Sequence, residues 1–132
     1  MEDKELVTAA LDARKRSYSP YSHFAVGAAL LTSDGNVFTG CNIENSAYSP
    51  SICAERVAFS KAVSEGYREF TKIVIAGGPA DAETLEYCPP CGVCRQVMSE
   101  FCDRDFEVIL AKSADQYETH TLGGLLPLSF SL

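Results

Sequence analysis

The sequence predicts an α/β layered domain built on a mixed sheet. Apolar residues recur at helical spacing near the N-terminus, two apolar runs flank Asp34-Gly35, and later strand-like runs alternate with helical ones. From about Lys4 to Arg16, the residues Leu6, Val7, Ala10, Leu11 and Ala13 trace one helical face. "SYSPYSHF" reads as a loop, with Pro20 and three serines. "AVGAALLTSDGNVFTGCNI" reads as a β-hairpin turning at Asp34-Gly35. This hairpin makes the sheet mixed rather than purely parallel. The polar segment Glu44 to Ser51 is a loop, and "ICAERVAFSKAVSEG" is a helix with Cys53 in its first turn and Gly66 at its end. "KIVIAGG" and "FEVILA" are buried strands; between them lie an acidic loop, Pro79 to Pro90, and a helix from about Cys91 to Phe101. The tail "THTLGGLLPLSF" holds a short helix stopped by Pro127.

A length of 132 residues fits a single domain, 1–132, large enough to build a core without staples. The net charge of −7 disfavours phosphate backbones, so nucleic acid is excluded as a partner. The N-terminal segment lacks the apolar centre of a signal peptide, and no run reaches the ~18 apolar residues of a membrane span. A cytoplasmic protein without membrane attachment is expected. The six cysteines would be free in a reducing compartment, although an even count also suits a disulfide framework.

"YCPPCGVCRQ" places Cys88, Cys91 and Cys94 at intervals of three. Pro89 and Pro90 have fixed φ and no amide donor, and they hold Cys88 in an extended segment. Pro90 leads into a helix beginning near Cys91, which puts Cys91 and Cys94 on one face as an i, i+3 pair. Free amides at helix starts favour thiolates, and Cys53 also lies at a helix start. Two such starts brought together would give a zinc site of Cys53, Cys91 and Cys94. Neither His23 nor His120 is near a cysteine in sequence, so a position is left open for water, as in catalytic zinc sites. The duller alternatives are small buried cysteines or a redox pair. Cys41, Cys88 and Cys102 are read as free thiols packed in the interior. Glu55, two residues after Cys53, is placed to carry protons beside the metal. Three thiolates leave zinc with a formal charge of −1, and adjacent Arg56 is expected to offset it by hydrogen bonding to the sulfurs.

"CAE" followed by "PCGVCRQ" resembles the signature of zinc-dependent nucleoside deaminases, which have a non-ligand Glu beside a Cys/His zinc site. With Cys as first ligand, the chain is most similar to the small homotetrameric cytidine deaminases. "PYSHFAVGAALLTSDGNVFTGCNIENSAYSPSICAER" and the "LLP…F" tail extend the likeness over nearly the whole chain. The resemblance implies a three-layer α/β/α fold with a five-stranded mixed sheet, and one Zn²⁺ per chain on Cys53, Cys91 and Cys94. It implies hydrolytic deamination of cytidine and 2′-deoxycytidine, as in pyrimidine salvage, by zinc-activated hydroxide with Glu55 as proton shuttle. It further implies that Asn42 and Glu44 bind the ribose, Phe24 packs on the pyrimidine and the Ala54 backbone contacts the base edge. Tyr48 and Phe130 would reach sites of neighbouring subunits in a homotetramer. The loop 79–87 is longer and more acidic than the family's, and "LPLSF" stands where Gly-Ala commonly precedes the Phe. Rival readings are a deaminase of another aminopyrimidine nucleoside such as blasticidin S, a non-catalytic zinc module closed by a fourth ligand such as Cys88, and a polynucleotide deaminase.

Overall fold

The computed structural model describes residues 1–132. Helix α1 (Asp3–Arg14) is followed by the strands β1 (Phe24–Thr32) and β2 (Val37–Cys41), then α2 (Ala54–Ser64) and β3 (Phe70–Pro79). Next come α3 (Gly92–Phe101), β4 (Glu107–Ser113), β5 (Gln116–Thr121) and a single turn, α4 (Leu122–Leu125). The sheet order is β2-β1-β3-β4-β5. Only the β3–β4 pair is parallel.

Alternation along the strands divides the core in two, because successive side chains face opposite sides of a sheet. Ala28, Leu30, Ile73, Ile75, Val108 and Leu110 pack with Phe59 of α2 and Met98 of α3. Ala29, Leu31, Val74, Ala76, Ile109 and Ala111 pack with Leu6, Val7 and Ala10 of α1. The layers are therefore α1, the sheet, and α2 with α3. Both faces of β1, β3 and β4 are covered, which is why these strands read as continuous apolar runs.

The Asp34-Gly35 turn forms as expected, with Gly35 at φ +94° and the Thr32 hydroxyl donating to Asp34. Three sequence readings shift. The strand β5 was not anticipated from its residues: "QYETHT" is polar and largely exposed, as suits a sheet edge. The β4–β5 connection also carries no Gly or Asn signal. Cys53 and Cys91 are N-cap residues in extended conformation, one position outside their helices. The strand β3 runs on to Pro79, inside the segment read as loop.

The acidic loop after β3 is held to the body rather than extended from it. Arg14, in the last turn of α1, donates to the carbonyls of Ala25 at 2.9 Å and Gly78 at 3.0 Å. Leu85 packs against the α1-side core, and Glu86 pairs with Lys112 at 3.8 Å. No helix is long and apolar enough to cross a membrane.

The contact that sets the site is the approach of α2 to β2. A Cβ on Gly40 would overlap the carbonyl of Ala54 and lie 2.7 Å from the amide of Ala58. Gly40 thus lets the first turn of α2, and with it Cys53, lie directly on the strand. Gly40→Ala is expected to lower stability by ~1–3 kcal/mol, the usual cost of overpacking against backbone. Chemical denaturation would show this. Gly92→Ala, where an added Cβ meets nothing within 4 Å, is expected to show no such loss.

Candidate metal centre and adjoining cavity

The N-termini of α2 and α3 meet at one end of the sheet, beside the start of β1 and the ends of β2 and β3. Cys53 caps α2. Cys91 caps α3, and its sulfur accepts from the amide of Cys94 at 3.5 Å. A cysteine thus takes the place usually filled by Ser, Thr, Asp or Asn, and helix start and sulfur cluster share one geometry.

The three sulfurs lie within 4.8 Å of one another. Cys91 is 3.8 Å from Cys53 and 3.5 Å from Cys94. A tetrahedral ion with Zn–S bonds of ~2.3 Å requires sulfur separations of ~3.8 Å, so the trio fits zinc. No fourth Cys, His or carboxylate completes the set. Cys94 is fully buried and Cys91 exposed, so the cluster opens on one side only.

Charge is concentrated on Cys53. Hydrogen bonding from Cys94, helped by Arg56 and Cys91, brings the Cys53 thiol down to about 5. The Cys94 thiol is pushed up, chiefly by its hydrogen bond to Cys53 and by burial. Zinc binding releases the protons that the thiols still carry. Arg56 Nη2 donates to Cys53 Sγ at 3.5 Å, and Arg56 Nε is buried without a partner. Glu55, 5% exposed, is pushed up to about 7 by burial. A carboxyl with that property can hold or release a proton near neutral pH.

Cys53, Glu55, Arg56 and Cys91 form one wall of a cavity of about 450 Å³. Phe24, Asn42, Glu44 and Ala54 also line it, so the cavity gathers most of the residues singled out from the sequence. Asn42 fastens onto β1: its Oδ1 accepts from the Val26 amide at 2.9 Å and its Nδ2 donates to the Phe24 carbonyl at 2.8 Å. Ser17 Oγ also donates to Asn42 Oδ1, at 2.5 Å. Glu44 Oε1 accepts from the amides of Tyr21 at 3.0 Å and Ser22 at 3.1 Å. The Ser22 hydroxyl donates to Glu44 Oε2 and holds the carboxyl below its usual range.

Tyr48 and Phe130 stand outside this cavity. Tyr48, at φ +62°, is 75% exposed over a neighbouring cleft. Phe130 is 69% exposed, with its carbonyl accepting from Gln96 Nε2 at 3.1 Å. Cys88 is excluded from the sulfur cluster, as the two prolines suggested. It is not interior filler, however. It is half-buried in the cavity wall, where burial pushes its thiol up to about 11. Cys41 and Cys102 are free and likewise only partly buried. Ser22 also lines the cavity and was not picked out from the sequence. A Ser two residues before a strand start, able to bond the backbone locally, was the available signal.

Comparison with known proteins agrees with this geometry. The chain is 47% identical over 131 residues to a cytidine deaminase from Sporosarcina psychrophila, covering 99% of this chain and 93% of that one. A blasticidin-S deaminase from Bacillus cereus is 31% identical, over 98% of this chain and 93% of that protein. The crystal structure of a cytidine deaminase from Burkholderia pseudomallei superposes with a TM-score of 0.89 at 43% identity, covering 98% of this chain and all of that one. Residues 1–110 match the family described as cytidine and deoxycytidylate deaminase zinc-binding region, and the chain belongs to that family.

Proposed function

We propose that this chain hydrolyses cytidine and 2′-deoxycytidine to the corresponding uridines, releasing ammonia. The observation that carries the reading is one cavity lined by Cys53 and Cys91 of a zinc-fitting sulfur trio, by the buried carboxyl of Glu55, and by Asn42 and Glu44. Zinc, when bound by Cys53, Cys91 and Cys94, supplies Lewis-acid activation of the attacking water near neutral pH.

The protein's own groups do the rest. Glu55 takes a proton from the water and delivers it to ring N3, then carries a second proton to the departing amine as the C4–N bond breaks. The water oxygen ends as the C4 carbonyl, so atoms and protons balance. Phe24 covers the pyrimidine face, and the Ala54 backbone meets the base edge. Arg56 counters the excess negative charge of three thiolates.

Hydrogen-bond counting supports a sugar beside Asn42 and Glu44. A carboxylate has about four lone-pair positions and a side-chain amide offers two donors and two acceptors. Glu44 already accepts three bonds, and Asn42 makes three. One acceptor and one N–H remain, the complement of a single hydroxyl group that both donates and accepts. A pair that grips one hydroxyl has little means of telling ribose from 2′-deoxyribose.

The exposed Tyr48 and Phe130 fit a homotetramer in which each reaches a neighbour's site. A zinc site built on reduced thiols supports a cytoplasmic setting.

Three outcomes are expected. With zinc loaded, cytidine and 2′-deoxycytidine are consumed with kcat/KM values within about fivefold of each other, since one hydrogen-bonded hydroxyl is common to both. Loss of cytidine absorbance reads this directly, and a preference for blasticidin S in the same panel would redirect the assignment. Glu55→Gln retains one zinc per chain by metal analysis but loses at least ~10³-fold in turnover, the scale of removing a proton-transfer group. Arg56→Ala weakens zinc retention against a chelator by ~10–100-fold. Unchanged retention and turnover would remove Arg56 from the site.

A further inference from the structure

We propose that Ser22 is a positioning residue for sugar recognition, a single hydroxyl that orients both Glu44 and the backbone carrying Phe24. The inference rests on the deaminase reading above and on the sugar-binding role given there to Glu44.

A serine hydroxyl has one hydrogen and two lone pairs. The hydrogen of Ser22 goes to Glu44 Oε2, and a lone pair accepts from the amide of Phe24 at 3.0 Å. The bond to Glu44 is therefore directional, and it leaves the last acceptor position of that carboxylate fixed in space. Without the hydroxyl, Glu44 keeps its charge and its two amide partners on Oε1, but Oε2 has no fixed orientation.

The second half of the link is strained. His23, between Ser22 and Phe24, has φ +57°. A non-glycine residue in this region costs ~1–3 kcal/mol and persists only where its surroundings over-determine it. Here the His23 amide donates to the Ser19 carbonyl at 3.0 Å, and the Ala80 amide donates to the His23 carbonyl at 2.8 Å. The Ser22 hydroxyl closes the set from the cavity side. It also joins loop 15–23 to loop 42–53, alongside the Tyr18–Ile43 bridge, the Ser17–Asn42 side-chain bond and the amide bonds to Glu44. One oxygen atom thus links the backbone of the ring-covering Phe24 directly to the carboxylate of the sugar-holding Glu44.

The test is the ratio of kcat/KM for cytidine to that for 2′,3′-dideoxycytidine, which keeps the 5′ hydroxyl but lacks the 2′ hydroxyl and the 3′ hydroxyl that cytidine shares with 2′-deoxycytidine. Ser22→Ala is expected to lower this ratio about tenfold, mainly through KM for cytidine, the scale of one hydrogen bond to a charged group. A purely structural role would depress both substrates alike and leave the ratio at the wild-type value, which overturns the proposal. Ser22→Cys keeps the volume but weakens the bond, and should lower the ratio too if Ser22→Ala does not fold; an unchanged ratio there also overturns it. Ser22→Thr keeps the hydroxyl and is expected to hold the ratio, whereas a collapse marks packing and rejects the assignment. Glu44→Gln separates the two levels. If it leaves the ratio untouched, the sugar reading itself fails. If it collapses the ratio while Ser22→Ala does not, only the role of Ser22 falls.

Discussion

Two helices start at the same point of this molecule, and each starts on a cysteine. Most of the architecture near the cavity follows from that constraint. Helix N-termini present unsatisfied amides and the positive end of the helix dipole, which together favour negative charge. Cys53 and Cys91 occupy the two cap positions, and Cys94 supplies a third sulfur one turn into α3. Gly40 brings α2 onto β2, and Pro90 delivers the chain to the cap of α3. Three thiolates in one place are tolerable only with a cation among them and an arginine beside them. Glu55 sits out of water and next to this charge, which together push its carboxyl up to about 7.

The same region shows how side chains can stand in for strands. Just past Cys41, the backbone amide of Asn42 still donates to the Val26 carbonyl at 3.2 Å, and its side-chain carboxamide adds bonds to the backbone of Phe24 and Val26 of β1, as a further paired residue would. The polar end of the cavity is therefore as firmly tied to the sheet as the sulfur end is tied to the helices. Reaction groups on rigid elements keep their mutual geometry without needing a ligand to gather them.

Much of this was legible in the sequence. The double-sided burial of β1, β3 and β4 writes itself as apolar runs, and the prolines before Cys91 announce both a helix start and the separation of Cys88. The failures are physical as well. An edge strand such as β5 has no buried face on which to show a period-two pattern, so its residues look like a loop. Capping shifts Cys53 and Cys91 by one position because a cap is half in the helix, and propensity does not resolve that step. Ser22 offered only the local signal of a serine before a strand, because its importance lies in two partners, one of them 22 residues away. Cys88 was underestimated for the opposite reason: the prolines place it away from the metal but say nothing about the cavity wall it joins.

Cys94 is wholly sealed, and the sulfur cluster meets solvent through Cys53 and Cys91, on the side where the cavity lies. Metal and nucleoside therefore share one doorway. On the proposed reading, the ion's path to solvent runs through the space the nucleoside would fill, and a bound nucleoside would slow its loss.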